Sequence, residues 1–174
     1  MKRFLIVVDM QKDFVDGSLG TPEAQAIVSK VMDKILSFDG EIFATLDTHR
    51  ENYLQSAEGR KLPVAHCIKG TPGWTLEDGV AAALEQKGYT PVEKVTFGSV
   101  LLPRLLHQAA AGERFTVELV GLCTDICVVS NALMLKANFP EMEISVDSAC
   151  CAGVTPESHE AALTTMRCCQ VNVI

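Results

Sequence analysis

Phe115-Thr116-Val117-Glu118-Leu119-Val120-Gly121-Leu122-Cys123-Thr124-Asp125-Ile126-Cys127 carries the reading that decides the fold. Its first half, Phe115 to Val120, is an apolar run of strand length rich in β-branched residues. Gly121 then permits a tight turn, and from Asp125 to Ala137 the pattern turns helical. One strand feeding directly into one helix is half of a βαβ unit, and the same alternation extends in both directions. Apolar runs at Phe4–Val8, Glu41–Leu46, Pro91–Val95, Glu143–Val146 and Gln170–Val173 read as further strands. Several are continuous rather than alternating, as parallel strands covered on both faces require.

Between the strands lie helical patterns at Pro22–Phe38, Leu76–Gln86, Val100–Ala111 and Pro156–Cys168. The first places Ala24, Ile27, Val28, Val31 and Ile35 on one face, behind a Thr21 N-cap and Pro22 at the first helical position. Thr155-Pro156 repeats that start. Six strands and alternating helices predict a three-layer α/β/α domain, with a parallel sheet of doubly wound type, over residues 1–174. The one long irregular stretch, Asp47 to Thr75, exceeds an ordinary connection and reads as a functional loop.

Composition narrows the function. With 48% apolar and 21% charged residues the chain has the make-up of a globular protein, not a disordered one. A net charge of -7 with no basic cluster argues against nucleic acid as a partner. No apolar run approaches the roughly 18 residues of a membrane span. The start, Met1 to Val8, resembles a leader only superficially: its apolar run is short, and Asp9 ends it. Seven cysteines, at 67, 123, 127, 150, 151, 168 and 169, lack the spacing of a secreted scaffold and suit a reducing cytoplasm.

In an open parallel sheet the site lies past the carboxyl ends of the strands, near the reversal of strand order. Asp9, Asp47, His49, Lys94 and Cys127 all fall at such ends. Cys127 sits in the first turn of its helix, where free N–H groups and the helix dipole favour a thiolate and can hold an oxyanion. A buried helical cysteine would also satisfy the pattern, as would a Cys123–Cys127 disulfide or half a metal site. Asp9 is a candidate base, or a carboxylate capping a turn. Lys94 is costly at an apolar strand end unless paired, or else it snorkels to the edge. His107 and His159 fall in no evident site loop. Thiol, carboxylate and ammonium together form a coherent acyl-transfer set.

Five segments in order then resemble the nicotinamidase and isochorismatase-like cysteine hydrolases, over nearly the whole chain. They are Val8-Asp9-Met10-Gln11-Lys12-Asp13-Phe14, Asp47-Thr48-His49, His66-Cys67-Ile68-Lys69-Gly70-Thr71-Pro72-Gly73, Glu93-Lys94 and Gly121 to Val128. The resemblance implies a triad of Asp9, Lys94 and Cys127. It also implies a cis peptide before Cys123, whose N–H joins that of Cys127 in an oxyanion hole. It implies one divalent metal (zinc, manganese or iron) on Asp47, His49 and His66, with Glu58 at the distance of a further ligand. Phe14 and Phe97 look like the aromatic wall of a substrate pocket that Trp74 closes from the loop side, though each also suits an ordinary core.

The implied reaction is hydrolysis of a small amide, nicotinamide first, through a cysteine thioester in a self-associating cytoplasmic protein. Cys123 stands where many nicotinamidases have alanine and Thr48 where they have tryptophan, and Leu62-Pro63-Val64-Ala65 lacks the usual aromatic before the metal histidine. These departures change the pocket lining and open the site to another small amide or a ureido compound. A non-catalytic metal-binding or redox protein is the rival from another class, and it leaves Asp9 and Lys94 without a purpose.

Overall fold

The computed structural model describes residues 1–174. Strands β1 (Lys2–Val8), β2 (Glu41–Asp47), β3 (Thr90–Lys94), β4 (Phe115–Leu122), β5 (Glu143–Ala152) and β6 (Asn172–Val173) form one sheet in the order β3-β2-β1-β4-β5-β6. Every pairing is parallel. The strand order reverses between β1 and β4, so the crevice favoured for ligands opens between those two strands.

Phe4 to Val8 are all fully buried. Leu5 and Val7 face one core with α2 (Pro22–Ser37) and α4 (Asp78–Lys87), while Phe4, Ile6 and Val8 face the other with α5 (Leu102–Ala110), α6 (Val129–Asn138) and α7 (Pro156–Cys168). Burial on both faces explains the unbroken apolar run, and each such side chain contributes on the order of 2 kcal/mol. The Thr21 hydroxyl accepts from the Ala24 N–H at 3.0 Å, and Thr155 caps α7 in a reciprocal box with Ser158.

Several boundaries differ from the sequence expectation. β4 continues to Leu122, and β5 runs on to Ala152 through Asp147 and Ser148, polar residues that end the apolar pattern at Val146. Asp147 is tolerated because its carboxylate meets the Lys34 ammonium at 2.8 Å, and Glu118 meets the same ammonium at 2.6 Å. β6 shrinks to two residues. The helix expected over Asp125–Ala137 is two elements: a π-turn at Thr124–Val128 and then α6. The long loop holds a short helix, α3 (Ala57–Lys61), whose N-cap Ser56 accepts from the Gly59 N–H at 2.9 Å. A one-turn helix, α1 (Lys12–Val15), follows β1.

Candidate active site

Three strand ends meet because of one close approach. Gly121 lies opposite Val8 in the β1–β4 register, with φ +115°. A Cβ there would stand 2.2 Å from the Val8 carbonyl oxygen. Only glycine lets β4 run so near the end of β1 and then release the chain into the π-turn that carries Cys127.

Asp9 follows β1 directly, at a left-handed φ of +46°. Thr45 holds it there: its Oγ1 accepts from the Asp9 N–H at 3.2 Å and donates to Asp9 Oδ1 at 2.6 Å. An aspartate in this conformation, fully buried, is retained because neighbours over-determine it. Lys94, the last residue of β3 and paired in register with Asp47, reaches into the same space. Its Nζ lies 2.6 Å from Asp9 Oδ2, 3.2 Å from Asp47 Oδ1 and 3.5 Å from Cys127 Sγ. Beyond that ion pair no aligned protein donor occupies Asp9 Oδ2.

Burial dominates the electrostatics. It raises Asp9 above the usual carboxylate range, with Lys94 pulling down and Asp47 pushing up. It raises the Cys127 thiol well above its ordinary value, Asp9 adding to the rise and Lys94 opposing it. Burial lowers Lys94, but Asp9, Cys127 and Asp47 outweigh it, and the ammonium stays charged. Burial thus works against the thiolate that the helix terminus favours. A helix terminus offers roughly 0.3–1 kcal/mol to an anion, less than desolvation of a buried thiolate costs.

The turn itself is braced from several sides. Asn131 Nδ2 donates to the Cys127 carbonyl at 2.8 Å, and Asn131 Oδ1 accepts from the Ser99 N–H at 2.9 Å. Thr124 Oγ1 sits 2.8 Å from His159 Nδ1, and Asp125 Oδ1 accepts from the Val154 N–H at 3.1 Å. The Leu122–Cys123 peptide is cis, and the Cys123 N–H makes no hydrogen bond within the chain. His159 is a supporting residue that no motif or spacing placed here. Gln11 is another: fully buried, it accepts from the Asp47 N–H at 2.7 Å and donates to the Asp47 carbonyl at 2.9 Å, fixing the end of β2. Asp13 likewise accepts from the Cys67 N–H at 2.7 Å, steadying the segment that presents His66.

Beside the thiol lies a second cluster. His49 Nε2 is 3.0 Å from Asp47 Oδ2 and 3.7 Å from Glu58 Oε1, and His66 Nε2 is 3.6 Å from each of the same oxygens. One ligand atom from each of the four residues lies within 4.8 Å of all the others. A cation about 2.1 Å from each nitrogen and oxygen spaces its ligands roughly 3–4 Å apart, so the donor set fits one ion. The Val64 carbonyl, 2.8 Å from His66 Nδ1, fixes the proton there and leaves Nε2 a lone pair. Asp47 is pushed up by burial yet held well below the usual carboxylate range by His49, His66 and Lys94. Glu58, the residue least determined by sequence, comes from the first turn of α3.

A cavity of about 580 Å³ opens onto Cys127, Cys123, Asp47 and His66, within the usual range for a small-molecule site. Phe14 and Phe97 line it, as the sequence suggested. Trp74 does not. Its Nε1 donates to Thr48 Oγ1 at 3.0 Å, Lys69 Nζ lies 5.7 Å from its ring centroid, and the ring packs against the core on the Leu5 and Val7 face of the sheet. The indole N–H finds its partner on buried Thr48 rather than at the cavity.

A family model for the isochorismatase domain matches residues 3–174. The chain belongs to the isochorismatase family. A nicotinamidase/pyrazinamidase of Mycobacterium tuberculosis is 29% identical over a gapped alignment 187 positions long, covering 99% of this chain and 98% of that protein. An uncharacterised isochorismatase family protein of Bacillus subtilis is 32% identical, covering 94% and 93%. The crystal structure of a Pyrococcus horikoshii pyrazinamidase in complex with zinc superposes with a TM-score of 0.81 at 27% identity, covering 100% and 99%. The six-stranded parallel sheet with helices on both faces is thus the isochorismatase-family fold.

Proposed function

We propose that the protein hydrolyses nicotinamide to nicotinate and ammonia through a thioester on Cys127. The observation that carries this reading is the Lys94 ammonium, 2.6 Å from Asp9 and 3.5 Å from Cys127 Sγ with all three side chains buried. The relatedness to a nicotinamidase/pyrazinamidase across the whole chain supports the substrate class.

Asp9 takes the thiol proton as Cys127 Sγ attacks the carboxamide carbon. Lys94 offsets the charge on both groups, and the unoccupied Cys123 N–H, with that of Cys127, receives the oxyanion. Protonated Asp9 then passes its proton to the departing nitrogen, which leaves as ammonia. Water, its proton drawn to Asp9, adds to the thioester and frees the acid and the thiol. A raised Asp9 suits a group that must accept and return a proton within one cycle.

Asp47, His49, Glu58 and His66 would hold one divalent cation (zinc, manganese or iron), which when bound supplies a Lewis-acidic point for a pyridine nitrogen. A ring nitrogen held on that side of the cavity, which Asp47, Glu58 and His66 line, would leave the carboxamide free to meet Cys127.

Ammonia release from nicotinamide, measured for the wild type and Cys127→Ala, tests the reading. The wild type is expected to turn over, and Cys127→Ala to lose at least a thousandfold while keeping its melting temperature. Appreciable turnover by the variant would refute the nucleophile, and an inert wild type would refute the substrate.

A further inference from the structure

The cavity has two chemically distinct ends. Cys127, Asp47 and His66 form its floor and are nearly inaccessible. At its mouth stand Val95, 75% exposed, Val154, 49% exposed, Phe97, 45% exposed, and Leu62, 38% exposed. Lys61 and Thr96 also reach the mouth, but a compact amide satisfied at the floor leaves these four exposed apolar side chains in water. The rim is continuous with the reacting end, and its side chains come from separate segments: the chain after β3, the end of α3 and the chain after β5.

Ring geometry says which ligand reaches the rim. In a pyridine-3-carboxamide the carbonyl carbon and the ring nitrogen lie meta to each other. With the first at Cys127 and the second toward Asp47, His49 and His66, only the ring carbon meta to both points away from both anchors. We infer that the mouth residues Val95, Phe97, Val154 and Leu62 form an apolar subsite for a substituent on that carbon, so that pyridine-3-carboxamides alkylated there are better substrates than nicotinamide itself. The inference rests on the amide-hydrolase reading and adds to it the class of ring the site prefers. Each methylene moved from water onto the rim tightens binding by roughly two- to fourfold, the upper figure being that of full burial.

The test is a series of pyridine-3-carboxamides bearing hydrogen, methyl, ethyl or propyl at the 5-position, followed by ammonia release. The expected result is a KM that falls two- to fourfold per carbon with kcat nearly level. Val95→Thr keeps the shape but introduces a hydroxyl, and is expected to flatten that slope when each compound is referred to the variant's own nicotinamide value. Isothermal titration of the matching carboxylic acids reads the subsite without turnover. Nicotinamide turned over with a flat or rising KM series overturns the subsite and leaves the amide hydrolysis standing. No ammonia from any member overturns the hydrolysis, and the acids then decide the subsite alone: affinity growing with alkyl length supports it, and constant affinity removes it. A flat series accompanied by a concentration-dependent dimer that Val95→Thr dissolves means a second copy covers the rim, which also overturns the inference.

Discussion

Replacing Asp9 with asparagine is expected to move two properties of Cys127 in opposite directions. Asparagine keeps the shape and can still accept from Thr45, but it removes a buried charge 2.6 Å from Lys94 Nζ. The Asp9 charge is one of the forces that raise the Cys127 thiol, whereas the Lys94 charge opposes the rise. With Asp9 neutral, the thiol pKa must fall and the thiolate fraction at neutral pH must grow. Turnover must nevertheless drop, because nothing remains to carry the proton to the leaving nitrogen; loss of a general acid–base group costs about 10²–10⁴ in rate.

Stability should fall as well. Breaking a buried ion pair costs about 3–5 kcal/mol, and the lower end applies because Asp47 still faces Lys94 at 3.2 Å. For a domain of this size about 3 kcal/mol corresponds to a melting point lower by about 6–12 °C. The assay is iodoacetamide labelling at pH 7 read by peptide mapping at Cys127, with the exposed Cys168 and Cys169 as internal references, alongside ammonia release. Faster labelling with slower turnover is the expected pair. Slower labelling, or activity within tenfold of wild type, would show that Asp9 is not the base.

Three further perturbations have definite outcomes. Zinc added to chelator-stripped protein should bind once per chain by isothermal titration, and at a hundredfold over Kd should stabilise by about 2.7 kcal/mol; Glu58→Gln should weaken that binding measurably, and no heat of binding would dismiss the ligand set. Gly121→Ala forces a Cβ to within 2.2 Å of the Val8 carbonyl at φ +115°, so the midpoint of urea unfolding should fall sharply, by about 3 kcal/mol or more in stability. Thr124→Val deletes the 2.8 Å contact with His159 and should lower kcat roughly tenfold, about 1.4 kcal/mol, with KM little changed, whereas Thr124→Ser should keep it near the wild-type value; a loss with Thr124→Ser but none with Thr124→Val would mean the methyl group, not the hydroxyl, steadies the turn.

Much of the fold was legible because burial on both faces writes itself into the sequence as uninterrupted apolar runs, of which Phe4 to Val8 is the clearest. The polar second half of β5 was not legible, since Asp147 is permitted only by Lys34, 113 positions earlier in the chain on α2. Nor was the π-turn at Thr124–Val128, because an i to i+5 bond such as Val128 N–H to Cys123 carbonyl leaves no periodicity in five residues. Of the site, the strand-end rule together with the motif order found the side chains that converge on the cavity floor. It misjudged Trp74, whose direction depends on a hydrogen bond to Thr48, and it carried no sign of how strongly burial raises the Cys127 thiol. His159 and Gln11 escaped because they act through neighbours: a side chain that holds another residue's backbone or hydroxyl has no signature of its own.

Asp47 divides its carboxylate between two tasks, Oδ1 toward Lys94 and Oδ2 toward His49 and His66. The ion-holding half of the pocket and the acyl-transfer half are thus wired through a single functional group with no slack between them. Any change of occupant on one side alters the field felt by the other, so a substitution at this position sums two effects, and only a double-mutant cycle with Lys94 will divide them.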